Sequence, residues 1–264
     1  SEMCIRDSTG AVTLNGGTLT INSTDVSLAA GNTLTFAQAA GTFDGTGQWR
    51  MRAGSNKVVV ASGAAGSVIS VANLTLTTNG GNHTFQVDAP FINALTVSSA
   101  ITSHFGNEQM TKTGIGGMVI TGDAVIAGGT TVAAGSLSIG AGGTTGSISG
   151  NISMGDSTVL WFNRSDSLSY DGIISGTGVV GTLGAGTITL SGVNTYDGGT
   201  SVNDGVLVLG DVAALGTGLV YVAGGILDIN GKNPTNLVVL AGGQLRNTTN
   251  WTPTAVTIAG AVAS

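Results

Sequence analysis

The side chains with chemical potential are few and scattered. Asp166 and Asp171 form the closest plausible carboxylate pair, with Arg164 and Tyr170 beside them. Glycoside hydrolysis needs two carboxylates held about 5 to 9.5 Å apart, so this pair is the test of an enzymatic reading. Asp also favours turns and solvated corners, and a corner is the expectation for both. His83 and His104 are the 2 histidines of the chain, 21 positions apart and so able to stack on successive turns as half a metal site. Zinc takes three or four ligands, and no third His, Cys or Glu accompanies them; exposed loop histidines are expected instead. The pairs Thr18/Thr20, Thr33/Thr35, Thr75/Thr77 and Thr187/Thr189 follow no single period, which argues against a regular ice-binding ladder. There is no G-G-x-G-x-D run for calcium, no serine nucleophile elbow and no P-loop. No catalytic, cofactor-binding or metal residue is assigned.

The composition points to many short strands. Of 264 residues, 45 are glycine and 3 are proline, and charged residues make up 8%. Average usage is roughly 7% glycine and about 25% charged. There is no G-X-Y period, which excludes collagen. With 41% hydrophobic residues the chain is the reverse of a disordered, highly charged one. The net charge is −6, and the 8 Lys and Arg form no basic cluster, which excludes a nucleic-acid surface. Residues 58–76 are uncharged but interrupted by Ser62, Gly63, Gly66, Ser67, Ser70 and Asn73, so strands and turns are read there and not a membrane span.

The positioning elements are legible as a repeat. Residues 186–210 read G-T-I-T-L-S-G-V-N-T-Y-D-G-G-T-S-V-N-D-G-V-L-V-L-G, with Ile188, Leu190, Val202, Leu207 and Leu209 in period-two alternation. The same pattern occurs 70 positions earlier, at residues 116–140. Gly122, Gly128, Gly129, Thr130, Val132, Gly135, Leu137 and Gly140 fall on Gly192, Gly198, Gly199, Thr200, Val202, Gly205, Leu207 and Gly210. Asp197 and Asp204 become Ala127 and Ala134, which marks them as tolerant surface positions. Shorter echoes follow at residues 222–227 and 240–245. Turns of about 18 to 24 residues are expected, about 12 in all, stacked about 4.8 Å apart into a β-solenoid.

Before the repeats, Leu19/Ile21, Val26/Leu28, Leu34/Phe36, Val58/Val60 and Phe85/Val87 read as strand pegs, with Trp49 and Met51 inward and Arg50 and Arg52 outward. Between the repeats, Val159, Trp161, Ile173 and Val179 read as apolar pegs. The expected division is residues 1–8 as a non-native leader, 9–110 as irregular solenoid turns, and 111–264 as turns with the repeats, continuing beyond Ser264 in the native protein. The single cysteine, Cys4, lies in that octet; the rest is cysteine-free, as suits a chain that crosses an oxidising compartment unfolded.

The two long copies resemble the autotransporter-associated β-strand repeat, also called the passenger-associated transport repeat. The K-T-G-I-G run at residues 112–116 matches its lead-in, and G-V-N-T-Y-D-G-G-T at 192–200 with Val202, Gly205, Leu207, Leu209 and Gly210 matches its body. The first copy departs from it, with D-A-V-I at 123–126 in place of the N-T-Y element. The resemblance implies a right-handed parallel β-helix in the passenger of a type V secreted protein, on the surface of a Gram-negative bacterium or secreted from it. It also implies a C-terminal outer-membrane β-barrel in the same full-length chain as partner, and a role in export and display, with no enzymatic step and no cofactor. A carbohydrate-active β-helix enzyme, a polysaccharide lyase or hydrolase, is the alternative. Self-association and contact with surface glycans or a host are the further partners considered.

Overall fold

A computed structural model describes residues 11–23, 26–27, 32–52 and 57–248, with the backbone of Thr257–Ala259. Cys4, the octet at 1–8, Leu28 and Gly31 lie outside the described residues. Every regular element among the described residues is a β-strand, and every strand pairing is parallel. The fold is a parallel β-solenoid whose turns have three sides.

The first side is an 8-stranded sheet that begins at Val12–Leu14 and ends at Ile174–Gly176. The second begins at Gly17–Thr20 and runs to Thr257–Ala259. The third passes through Ala100–Ser103, Asp123–Val125 and Ser147–Ser149, then continues as a 5-stranded sheet from Ser167–Tyr170 to Gln244–Arg246. Two long strands, Gly41–Met51 and Ser67–Leu76, run around the corner between second and third sides and join them into one sheet. Above them the ladder divides, Ser67–Ile69 pairing with Leu95–Val97 and residues 73–76 with Ala100–Ser103.

Alternation explains why these segments become strands. Inward residues form one continuous core from Val12 to Val238, and intervening residues face out. Trp49 and Met51 are buried while Arg50 and Arg52 are not, as expected. Phe43 and Trp49 meet edge to face at 5.0 Å between centroids. Between the repeats the phase differs from expectation by one residue. Leu160, Phe162, Ile174 and Val180 are the buried pegs; Val159, Trp161, Ile173 and Val179 face outward or sit at a corner. A one-residue slip exchanges the two faces of a strand. The apolar run V-L-W-F fits either phase, so periodicity alone cannot decide it. Trp161 instead lies over Gly181 on the next turn: a Cβ there would stand 2.2 Å from the indole Cζ3.

The turns are also longer than expected in the first half. Val58 pairs with Phe85 and Phe85 with Lys112, each 27 positions on, against 20 from Lys112 to Val132. Complete three-stranded turns are therefore fewer than about 12. After Gly176 the first side continues as hydrogen-bonded loops, Thr195 and Asp197 donating to Ile174 and Gly176, and Thr217 to Tyr196.

The repeat has a definite structural meaning. Gly117–Ile120 pairs with Ser136–Ile139, and Thr187–Leu190 pairs with Val206–Leu209, 19 positions on in each case. Each copy is thus one turn whose last strand lies on its own first strand. The two copies do not lie on the same side of the solenoid: the first starts on the second side, the other on the third. From Gly117 the ladder passes through Ser136 and Val159 to Val179, 62 positions for three turns, and the remaining 8 carry the chain past one corner to Thr187. The corner geometry survives the rotation. Gly135 and Gly205 have φ of 69° and 66°, and a Cβ on either would meet the carbonyl of Gly116 or Gly186 at 2.4 or 2.3 Å. Replacing Gly205 by alanine combines left-handed strain with a backbone clash, each costing about 1–3 kcal/mol. Gly205→Ala is expected to lower unfolding free energy by at least about 2 kcal/mol, measured by urea titration.

Candidate functional site

The distinctive polar groups of this solenoid are inside it. Lys112, from the K-T-G-I-G lead-in, occupies an inward strand position between Phe85 and Val132 and is fully buried. Its Nζ donates to the carbonyls of Gly114 at 2.6 Å, Ala134 at 2.8 Å and Gly116. These belong to the corners of its own turn and the next, where strand pairing stops and carbonyls need another donor. The second copy achieves the same at Thr182, 70 positions on, whose Oγ1 donates to the Asp204 carbonyl at 3.0 Å. Burial pushes the Lys112 ammonium down to about 8, against a smaller opposing pull from Asp88.

The N-T-Y element is a second internal bracket. Asn194 is buried and bridges three turns: its Oδ1 accepts from Ile174 N at 2.8 Å and its Nδ2 donates to Ala214 O at 2.7 Å. Tyr196 is buried, with its hydroxyl 2.6 Å from Thr200 Oγ1. In the first copy Ala124 and Ile126 replace them, and this works because Asp123–Val125 is a true strand with direct backbone partners on both sides. The side chain of Asn194 adds two bonds to those the backbone of the loop at 194–197 already makes through Thr195 and Asp197. Asn236 repeats the device, donating from Nδ2 to Gly216 and Gly218.

The carboxylates considered for catalysis are held otherwise. Arg164 is buried and donates to the carbonyls of Thr144 and Gly146, while its Nε and Nη2 grip Asp166 at 2.8 and 2.9 Å. Hydrogen bonding and charge from Arg164 hold the partly exposed Asp166 carboxyl below its usual range, the opposite of a general acid. Asp171 is an exposed corner residue, and Tyr170 is buried with its hydroxyl on Gly150 O. Burial raises both Tyr170 and Tyr196. Asp197 and Asp204 are exposed corners.

The two histidines do not stack. His104 is exposed at the end of the third side, whereas His83 is buried on the first, facing Met110. The expectation of two loop histidines fails for His83, whose strand T-F-Q-V pattern extends one step further inward than its polarity suggested. Burial lowers its pKa, with the Glu108 charge opposing. Glu108 is a buried acid that sequence reasoning missed. It accepts from the backbone amides of Phe105 at 2.8 Å and Asn107 at 3.2 Å. Burial would raise its carboxyl, but the amides of residues 105–108 together hold it below the usual value. Among the described residues no group of three or more His, Cys, Asp or Glu is placed to hold a metal, and no helix is long and apolar enough to cross a membrane.

Comparison with known proteins agrees with this geometry. The family model described as passenger-associated-transport-repeat matches residues 110–139 and 183–209, the two self-paired turns. A 73-residue stretch, 28% of the chain, is 44% identical to the adhesin BmaC autotransporter of Brucella suis biovar 1 (strain 1330) and covers 2% of that protein. No solved structure gives a significant match.

Two measurements check the internal brackets. Asn194→Ala leaves a buried amide and a buried carbonyl unpaired, at roughly 1–3 kcal/mol each, so a loss of about 2–6 kcal/mol is expected in denaturant unfolding. Lys112 binds its proton less tightly folded than unfolded, so its contribution is unfavourable below about pH 8 and is relieved as pH rises toward 10.5. Tyr170 and Tyr196, raised on folding, act in the other direction only above about pH 10. Stability relative to Lys112→Met should therefore rise between pH 8 and 10, read as a growing difference in urea midpoints; a constant difference would contradict it.

Proposed function

We propose, from a chain that carries two passenger-associated transport repeats, that this protein is a β-solenoid stalk in the passenger of a surface-exposed autotransporter or adhesin of a Gram-negative bacterium. Its partner in this reading is an outer-membrane β-barrel in the same full-length chain. The chain spans about 2% of the length of the relative it matches, so the role assigned here concerns this segment and what it does for the rest.

The observation that carries the reading is the self-pairing of each repeat turn. Met118 and Ile120 lie directly against Leu137 and Ile139, and Ile188 and Leu190 against Leu207 and Leu209, all buried. A chain emerging from a pore can therefore close a turn on itself once about 25 residues are outside, without waiting for distant sequence. Each buried Leu or Ile contributes about 1.5–3 kcal/mol, so a closed turn resists sliding back. The two copies start on different sides of the stack, which supports a turn that is not tied to one side. Nothing in this mechanism needs a catalytic group.

The test is display. The chain is placed between a secretion signal and an autotransporter barrel, and surface yield is measured by protease accessibility on intact cells. Gly205→Val and Leu207→Asn, which open the second repeat turn, should reduce surface yield several-fold at equal synthesis. Unchanged yield with an unfolded repeat would remove the export role.

A further inference from the structure

We propose that the outward face of the second side between Trp161 and Tyr221 is a binding platform for a flat, uncharged saccharide chain. The inference does not rest on the stalk reading. It is drawn from one column of outward positions, where Trp161, Gly181, Ser201 and Tyr221 lie in register on successive turns.

This column carries an aromatic ring at each end and only small residues between. Trp161 leans onto Gly181, where a Cβ would stand 2.2 and 2.6 Å from the indole Cζ3 and Cε3. The indole fills the place of the missing side chain, so it is held against the sheet and stays part exposed. Tyr221 is 43% exposed and lies three strand spacings further on, about 14 Å along the solenoid. Leu219, 47% exposed, stands beside Tyr221 on the same outward phase. On the other flank Asn203 accepts the Ser201 hydroxyl on its Oδ1 at 2.9 Å, which directs its amide hydrogens to a ligand. The strands that build the face, Val159–Asn163, Val179–Leu183, Thr200–Val202 and Val220–Val222, contain no charged residue.

Size and charge decide the occupant. From Trp161 to Tyr221 the face is about 14 Å long and about two outward steps wide, on the order of 200 Å². A stable protein partner needs about 800 Å² from each side, so this face is too small to hold a second copy or another folded protein by itself. Ser138, next below Trp161 in the column, is buried and closes the platform at that end. An ionic ligand would find no counter-charge on these strands. The negative face of an aromatic ring attracts weakly positive C–H groups by the same quadrupole that orders aromatic pairs. A sugar whose hydroxyls are all equatorial presents C–H groups on both faces, and equatorial linkages keep a chain of such sugars flat. Laid along the column, that chain meets both rings and brings its hydroxyls to Ser201 and Asn203.

Calorimetric titration of the whole chain tests this with cellotetraose, N-acetylchitotetraose, maltotetraose and trigalacturonate. One or both of the flat neutral chains, cellotetraose and N-acetylchitotetraose, should bind, and the stronger of the two separates a plain glucan from an N-acetylated one. Maltotetraose, which is curved, should bind about tenfold more weakly, the worth of one lost stacking contact. Raised salt should leave the affinity unchanged. Tyr221→Ala should weaken binding by a similar factor, and Tyr221→Phe should retain it, because the ring and not the hydroxyl makes the contact. Trp161→Ala should weaken it as well; Tyr221 covers no glycine and is exposed, so its variants keep the test valid even if Trp161→Ala fails to fold. The proposal is overturned if neither flat chain binds, if maltotetraose or trigalacturonate binds as well, or if Tyr221→Ala has no effect. Sedimentation of the free protein is the companion measurement: a dimer that Tyr221→Ala dissociates would assign the face to a second copy and overturn the saccharide reading, whereas a monomer throughout is expected.

Discussion

The constraint on which everything else rests is the pairing of parallel backbone groups from turn to turn. A solenoid has no second layer and no helix to absorb unsatisfied amides. Its strands satisfy themselves by lying on one another, and each is half of two ladders. The cost of a buried unpaired N–H or C=O, about 1–3 kcal/mol, therefore falls on the corners, where the chain must leave one ladder and enter another. The chain meets it with a small set of devices: a buried lysine amine at Gly114, Gly116 and Ala134, a threonine hydroxyl at Asp204, and asparagine amides at Ala214, Gly216 and Gly218.

Seen this way, lysine and threonine at equivalent positions of the two repeat copies are not a loss of function in one of them. Lys112 reaches three carbonyls with its long side chain, and Thr182 reaches one with its short one. Asn194 and Ala124 are related in the same way. An amide side chain is needed where the chain forms a loop, and no polar atom is needed where it forms a strand. What the repeat holds constant is satisfaction of the corner, with different atoms supplying it.

Much of this was legible in the sequence because strand alternation and glycine corners are local signals. Leu34/Phe36, Phe85/Val87, Leu207/Leu209 and the outward Arg50 and Arg52 follow directly from period two. The phase failed at Trp161, where apolar residues occupy both faces and the outward one covers Gly181, a contact that belongs to the neighbouring turn. Turn length failed in the first half because loops at the corners, unlike strands, carry no period. The burial of Lys112 and Glu108 was not legible, since polarity is a poor guide where the partner is a backbone carbonyl or amide; nor was that of His83, which is buried beside Met110 with neither ring nitrogen hydrogen-bonded. The rotation of the copies was likewise hidden: the 70-residue spacing is fixed in the sequence, but the number of residues per turn is set by pairings between distant segments.

That rotation bears on how such chains are built. If a repeat turn depended on its neighbours' side chains at fixed columns, its copies would have to be spaced by whole turns. Here the spacing is three turns and one side, and the strand of each copy still finds Met118 against Leu137 or Ile188 against Leu207. The contacts that define the turn are those it makes with itself, through a loop of under 20 residues. Loop closure of that length is inexpensive and fast. The surrounding solenoid supplies ladder partners above and below, which any side of the stack can provide because all pairings are parallel. A sequence element with its own closed set of contacts can be inserted wherever the stack needs a reliable turn, while the longer, irregular turns nearer the start are left to carry exposed loops such as the one at His104 and Phe105.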